Sequence, residues 1–227
     1  MTHTDPLTHA QLRTPRAAAI AGIIFSALLM SSLVILGLSV PVDPREAGAW
    51  LTTSQDSVAF ALVLIPFAGI AFLWFIGVLR DRLGNLEDRF FATVFFGSGL
   101  LFLAMLFASA AVLGAIITAH AATPAEVTNS AAFAIARALT YNILNLYAIK
   151  MAGVFMIMTS TLAIRTGFVA RWIAILGYVL ALLLLFGNYL FDFRMMVFPL
   201  WVLLISLYIL IDNFRQPSTP LPDPQSD

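Results

Sequence analysis

The sequence predicts an all-α fold, a polytopic transmembrane helical bundle of six membrane spans with both termini cytoplasmic, and three observations predict it. The 227-residue chain holds six separable apolar segments, with 61% hydrophobic and only 11% charged residues and a mean hydropathy of +0.95. A soluble domain carries about 25% charged and roughly 45–50% apolar residues. This chain therefore lacks the polar surface to be solvated as a globule and takes a bilayer as its solvent. The segments also suit a hydrocarbon core of about 30 Å crossed at about 1.5 Å per residue. Finally, charge is distributed asymmetrically. With the N-terminus cytoplasmic, the inner faces hold Arg13, Arg16, Arg80, Arg82, Arg89, Arg165, Arg171 and Arg215, whereas the outer faces hold Arg45, Arg137 and Arg194. Such an excess of basic residues marks the cytoplasmic side.

The elements follow in order. Residues 1–16, with Pro6 and Pro15, read as a disordered N-terminal arm. The first span, residues 17–40, carries no charge and is longer than the apolar core of a cleaved signal peptide, so it reads as an uncleaved anchor. A polar loop around Pro41 and Pro44 leads to the second span at 57–79, with Pro66 near its middle. The tight loop from Arg80 to Arg89 joins the third span at 90–117, with Gly84 suited to end one helix and Asn85 to cap the next. Thr123-Pro124-Ala125-Glu126 has the form of a capping box with proline at the first helical position. The helical pattern that follows exceeds one crossing, so 124–141 reads as an interfacial or extramembrane helical extension and 142–164 as the fourth span. The fifth and sixth spans are 172–191 and 195–211, and 213–227 is a disordered proline-rich tail. The membrane domain thus covers 17–212.

Composition excludes several functions. With no cysteine there are no disulfides, thiolate metal sites or cysteine nucleophiles. With only His3, His9 and His120, no paired intramembrane histidines exist to hold a haem. Net charge is zero and there is no basic tract for nucleic acid. No catalytic, metal or cofactor site is expected. The partners expected are the lipid bilayer and a protein partner or further copies of the chain.

The polar residues near the membrane are the remaining candidates. Lys150, the only lysine, lies within the fourth span, where an ionisable group is by default a functional candidate. Its plainer reading, and the favoured one, is snorkelling toward the outer headgroups or pairing with Asp192 in the turn between spans five and six. Arg137, Tyr141 and Asn145 recur every four residues and so share a helical face, with Lys150 on another. They form either a polar, outward-opening vestibule facing Asn188, Tyr189 and Asp192 or, as favoured, the wet stripe of an interfacial helix. Arg80, Arg82 and Arg89 either contact a cytoplasmic partner or anionic lipid, or simply solvate a short hairpin. Small-residue stripes, Ala18/Gly22/Ser26 on the first span and Ala104/Ala108/Ala111 on the third, mark seams within the chain or between copies.

The stretch Phe75-Ile76-Gly77-Val78-Leu79-Arg80-Asp81-Arg82-Leu83-Gly84, followed by Glu87-Asp88-Arg89-Phe90-Phe91-Ala92-Thr93, is similar to one shared by uncharacterised bacterial multi-pass integral membrane proteins. The resemblance extends to overall length and span layout and is best over the second and third spans. It implies a prokaryotic cytoplasmic membrane and brings no activity, cofactor or functional residue with it. The expectation is a non-enzymatic accessory or scaffold subunit. The alternative is a small transporter or channel with an outward-facing vestibule around Lys150 and Asp192.

Overall fold

The computed structural model describes residues 14–41, 48–83, 89–128, 130–187 and 194–215, and among them it is all-helical, with no strand. Gly84, Asn85, Asn188, Tyr189, Asp192, the N-terminal arm to residue 13 and the tail from residue 216 lie outside the described residues. The helices are α1 (Thr14–Ser39), α2 (Trp50–Thr53), α3 (Gln55–Leu83), α4 (Arg89–Ala122), α5 (Pro124–Thr128), α6 (Ala131–Asn142), α7 (Ile149–Thr166), α8 (Arg171–Phe186) and α9 (Arg194–Arg215). A π-helical segment, Ile143–Ala148, joins α6 to α7.

Among the described residues, five stretches are long and apolar enough to cross a membrane: α1, α3, α4, the continuous 36 residues Ala131–Thr166, and α9. The chain is therefore a multi-pass membrane protein. Helix α8 is apolar but has only 16 residues, about 24 Å of rise.

Side-chain contacts fix how the long helices sit. Helices α1 and α3 run antiparallel: Gly22 lies against Phe75, and the Ser32 hydroxyl donates to the Ala61 carbonyl at 2.9 Å. Helices α3 and α4 do the same, Gly69 facing Phe107 and Gly99 facing Ile76. On the other flank of α4, Gly99 also faces Phe155, and the Ser109 hydroxyl donates to the Thr140 carbonyl at 3.1 Å. Gly153 against Leu185 and Gly177 against Ser160 pair α7 with α8. Helix α9 closes the ring, placing Trp201 on Gly177 and Ser206 on Gly22. Without a hydrophobic force between helices in lipid, association rests on such close packing, and glycine admits it by presenting no side chain.

The middle of the ring is filled by rings. Phe25, Phe72, Phe102, Phe155 and Phe198 come from five helices and interlock, with centroids as close as 4.5 Å for Phe25–Phe72 and 4.7 Å for Phe102–Phe198. Each tilted or edge-on pair contributes about 0.5–1.5 kcal/mol beyond area burial. Pro66 lies within α3, on its exposed side, and leaves the Leu62 carbonyl without its usual donor. Neighbouring helices pack closely around this stretch, with Ser32 bonded to the Ala61 carbonyl and Phe107 seated on Gly69.

The two small-residue stripes part company. Ala18, Gly22 and Ser26 are buried in the α1 seam, whereas Ala104 and Ala111 are exposed and Ala108 half-buried on the outside of α4. The region read from sequence as one helical extension over 124–141 is two helices. Helix α5 ends at Thr128, and Ser130 starts α6 afresh by accepting from the Phe133 N–H at 3.1 Å. Helix α6 does not lie apart from the bundle. Its Phe133 packs with Trp50, Leu51, Val58, Leu113 and Ile116 in a second apolar cluster that closes this end.

Candidate functional site

The polar face expected at Arg137, Tyr141 and Asn145 lies at the end of the bundle closed by α2 and α6. In a regular helix a four-residue step overshoots one turn by about 40°, so three such positions drift around the axis. The π-helical segment counters that drift. Its i→i+5 bonding puts more than four residues into each turn, so the step from Tyr141 into the segment turns less than in a regular helix, and Asn145 lines the same cavity as Arg137 and Tyr141. Single π turns of this kind recur at functional sites.

Arg137 is buried, at 5% exposure, although it carries a guanidinium. It donates to the Pro41 carbonyl at 3.0 Å, and its guanidinium carbon stands 5.4 Å from the Trp50 ring centroid. The arginine thereby ties α6 to the end of α1 and to α2. Tyr141 and Asn145 are joined by a residue that the sequence reading counted only as an outer loop charge. Arg194, first in α9, donates to the Tyr141 hydroxyl at 3.2 Å and to Asn145 Oδ1 at 3.4 Å. Asn145 Nδ2 in turn donates to the Tyr141 carbonyl at 3.1 Å. The only signal for Arg194 in the sequence is its place at the start of the last span; nothing local tells that α9 begins beside α6.

Lys150 engages α8. Its ammonium donates to the carbonyls of Leu184 (3.2 Å) and Leu185, in the last turn of α8. A helix leaves its final carbonyls without intrahelical donors and carries partial negative charge there. Lys150 therefore serves as a C-terminal cap supplied by a neighbouring helix. The partner expected for it, Asp192, and the vestibule residue Asn188 lie outside the described residues.

At the opposite end, Arg80 is exposed, with its guanidinium 5.1 Å from the Phe96 centroid, and Arg165 stands 4.3 Å from that of Phe91. Arg82 and Arg89 fall at the end of α3 and the start of α4, with side chains outside the described set.

Beside the polar face lies a cavity of about 530 Å³. Arg137, Thr140, Tyr141 and Asn145 make one wall; Leu33, Leu36, Val40 and neighbouring residues of α1 make the facing one; Leu113, Met195 and Met196 complete it. The volume falls within the range of about 300–1,000 Å³ usual for small-molecule sites, and so does the make-up, mostly apolar with a few convergent polar groups. No histidine or carboxylate lines it among the described residues, nor do these contain a group of three His, Cys, Asp or Glu able to hold a metal ion.

Fold and cavity together define a multi-pass helical membrane protein with a ligand-sized recess at one end. Comparison with protein-family models, with curated proteins and with solved structures found no match. The resemblance over residues 75–93 therefore assigns no family, and the functional reading rests on geometry.

Proposed function

We propose that the protein is a six-span, non-enzymatic integral membrane protein of the cell (cytoplasmic) membrane that holds a membrane-borne small molecule in this cavity, as a carrier does. In this reading α8 also crosses the membrane, as the fifth of six spans, both termini are cytoplasmic, and Arg80, Arg82 and Arg89 stand among inner headgroups. The observation that carries the proposal is the cavity itself, apolar on the α1 side and polar on the α6 side. The interlocked phenylalanines in the middle of the ring favour a holder over an open pore. The outward vestibule is then centred on Arg137, Tyr141 and Asn145 rather than on Lys150, which fastens α8. The described lining holds apolar and neutral polar side chains with one arginine, which suits holding a ligand rather than general-base chemistry on it.

A second reading, an accessory or scaffold subunit, is favoured by the outward Ala104–Ala111 face of α4, where another helix could approach closely. Native mass spectrometry of the protein gently released from its own membranes separates the two. A stoichiometric non-protein mass supports the carrier. A stoichiometric second polypeptide, or one defined oligomer of bare chains, overturns it in favour of the subunit or scaffold.

A further inference from the structure

Two neutral side chains on the polar wall are set as donors by one arginine. Arg194 donates to the Tyr141 hydroxyl at 3.2 Å and to Asn145 Oδ1 at 3.4 Å, occupying the acceptor side of both. Both bonds come from the same guanidinium nitrogen, so the two side chains end beside one another. Tyr141 and Asn145 line the cavity, whereas Arg194 is not among its described lining residues. A tyrosine hydroxyl that accepts from a cation keeps its own hydrogen to donate, and a side-chain amide has two N–H groups. Asn145 spends one of these on the Tyr141 carbonyl at 3.1 Å. The wall is left with an O–H from Tyr141 and an N–H from Asn145. Thr140 adds no third donor, since its hydroxyl donates to the Ala136 carbonyl at 2.9 Å.

The cations of this region are committed to protein groups. Arg194 makes the two bonds above, and Arg137 donates to the Pro41 carbonyl and stands over the Trp50 ring. A charged head in the cavity would give up its hydration without a cation of its own to meet, and unpaired charge is costly in apolar surroundings. A neutral acceptor avoids that cost. A carbonyl oxygen has two lone pairs, one for each donor.

The rest of the lining is apolar, and part of it is shared with the outside of the bundle. Val34 and Leu38 line the cavity and are also exposed, Leu38 at 84%. Gly37 stands between them on the same lining, and a side chain added there would meet nothing within 4 Å. The end of the bundle is closed instead. Leu36 and Val40 pack on the cluster of Trp50 and Phe133, and Arg137 is tied to Pro41. The cavity therefore opens sideways, through the surface that α1 turns to lipid in the proposed orientation. A molecule dissolved in the bilayer meets that opening, and flexible leucine and methionine walls adapt to its hydrocarbon.

We infer that the cavity takes a neutral lipid with a carbonyl group on a single hydrocarbon chain, admitted from the membrane past Gly37 with its carbonyl oxygen on Tyr141 and Asn145. A quinone ring and an acyl ester present this same acceptor. The inference rests on the carrier reading above, and it names the class of ligand carried.

Native mass spectrometry of the full chain in a maltoside detergent tests it, with each probe at the same mole fraction of the micelle. The probes are a benzoquinone bearing a decyl chain, methyl oleate, octadecene and oleate. One quinone or one ester per chain is expected, and the tighter of the two identifies the source of the carbonyl. Octadecene, which has the chain and no acceptor, should bind about tenfold or more weakly, and oleate no more tightly than its ester. Tyr141→Phe should weaken the carbonyl probes about fivefold and leave octadecene unchanged. Asn145→Asp, which keeps an oxygen for Arg194 and removes the N–H, should do the same. Gly37→Phe fills the opening and should abolish binding of every probe. Melting profiles of the variants separate lost binding from lost folding, and the comparison of ester with octadecene needs only the parent chain. Ester and octadecene binding equally, and both lost in Gly37→Phe, would overturn the carbonyl and spare the carrier. Oleate bound about tenfold more tightly than its ester would overturn the neutral head. Adducts indifferent to a folded Gly37→Phe, or no adduct at all, would overturn the cavity as a site and the carrier with it.

Discussion

Replacing Gly22 by alanine probes the contact that closes the helix ring. The new methyl would overlap the Ser206 hydroxyl and stand 2.9 Å from the Phe75 ring. Overpacking of this kind costs about 1–3 kcal/mol, and alanine's better helix propensity returns about 1 kcal/mol. Gly22→Ala alone should therefore lose about 0–2 kcal/mol. Ser206→Ala removes a buried hydroxyl that has no hydrogen-bond partner among the described residues. Deleting an unsatisfied buried polar group is neutral or stabilising. In the double variant the overlap with Ser206 is gone while the helix gain and the milder approach to Phe75 remain, so it should come within about 1 kcal/mol of the parent. The coupling between the two sites is then favourable by about 1–2 kcal/mol, within the range measured for touching residues. Reversible unfolding in mixed micelles, run on parent, single and double variants, reads it directly. Effects that add within about 0.5 kcal/mol would show that the two positions do not touch, and the reasoning that places α9 against α1 would fail.

Arg194→Met should cost about 1.5–3 kcal/mol, since two bonds from a charged donor are lost; Arg194→Lys should recover only part, because an ammonium lacks the planar fork that reaches both partners. A loss confined to Arg194→Met and fully rescued by lysine would refute the two-pronged contact. Lys150→Met should destabilise by loosening the last turn of α8, and hydrogen exchange should rise at Leu184 and Leu185 before the rest of the bundle. If Lys150 also pairs with Asp192, Lys150→Met and Asp192→Asn should cost less together than the sum of their separate losses; additive losses in detergent melts would exclude the pair. For topology, cysteine placed at Thr53 should react with an impermeant maleimide on intact cells and cysteine at Asn85 should not, the reverse pattern overturning the orientation.

The class of the fold was legible in the sequence because the solvent writes it there. A bilayer offers no hydrogen bonds, so long uncharged segments must be helices that satisfy their own backbones. The Ala18/Gly22/Ser26 seam and the shared face of Arg137, Tyr141 and Asn145 were legible for a related reason, since helical periodicity is local. The sequence showed less well where periodicity changes: nothing in Ile143–Ala148 announces a π-helical segment, and Ser130 starts a helix inside a pattern that reads as continuous.

What the sequence alone determined is therefore the material: membrane helices, their approximate extents, and which residues share a face. Only the tertiary structure decided the company they keep. That Arg194 meets Tyr141 and Asn145, that Lys150 finds the end of α8, that Ala104 and Ala111 look outward, and that a cavity opens beside Gly37 depend on which helices are neighbours. In lipid that choice is made by close packing between whole helix surfaces distant in the chain, and no local stretch of sequence carries it.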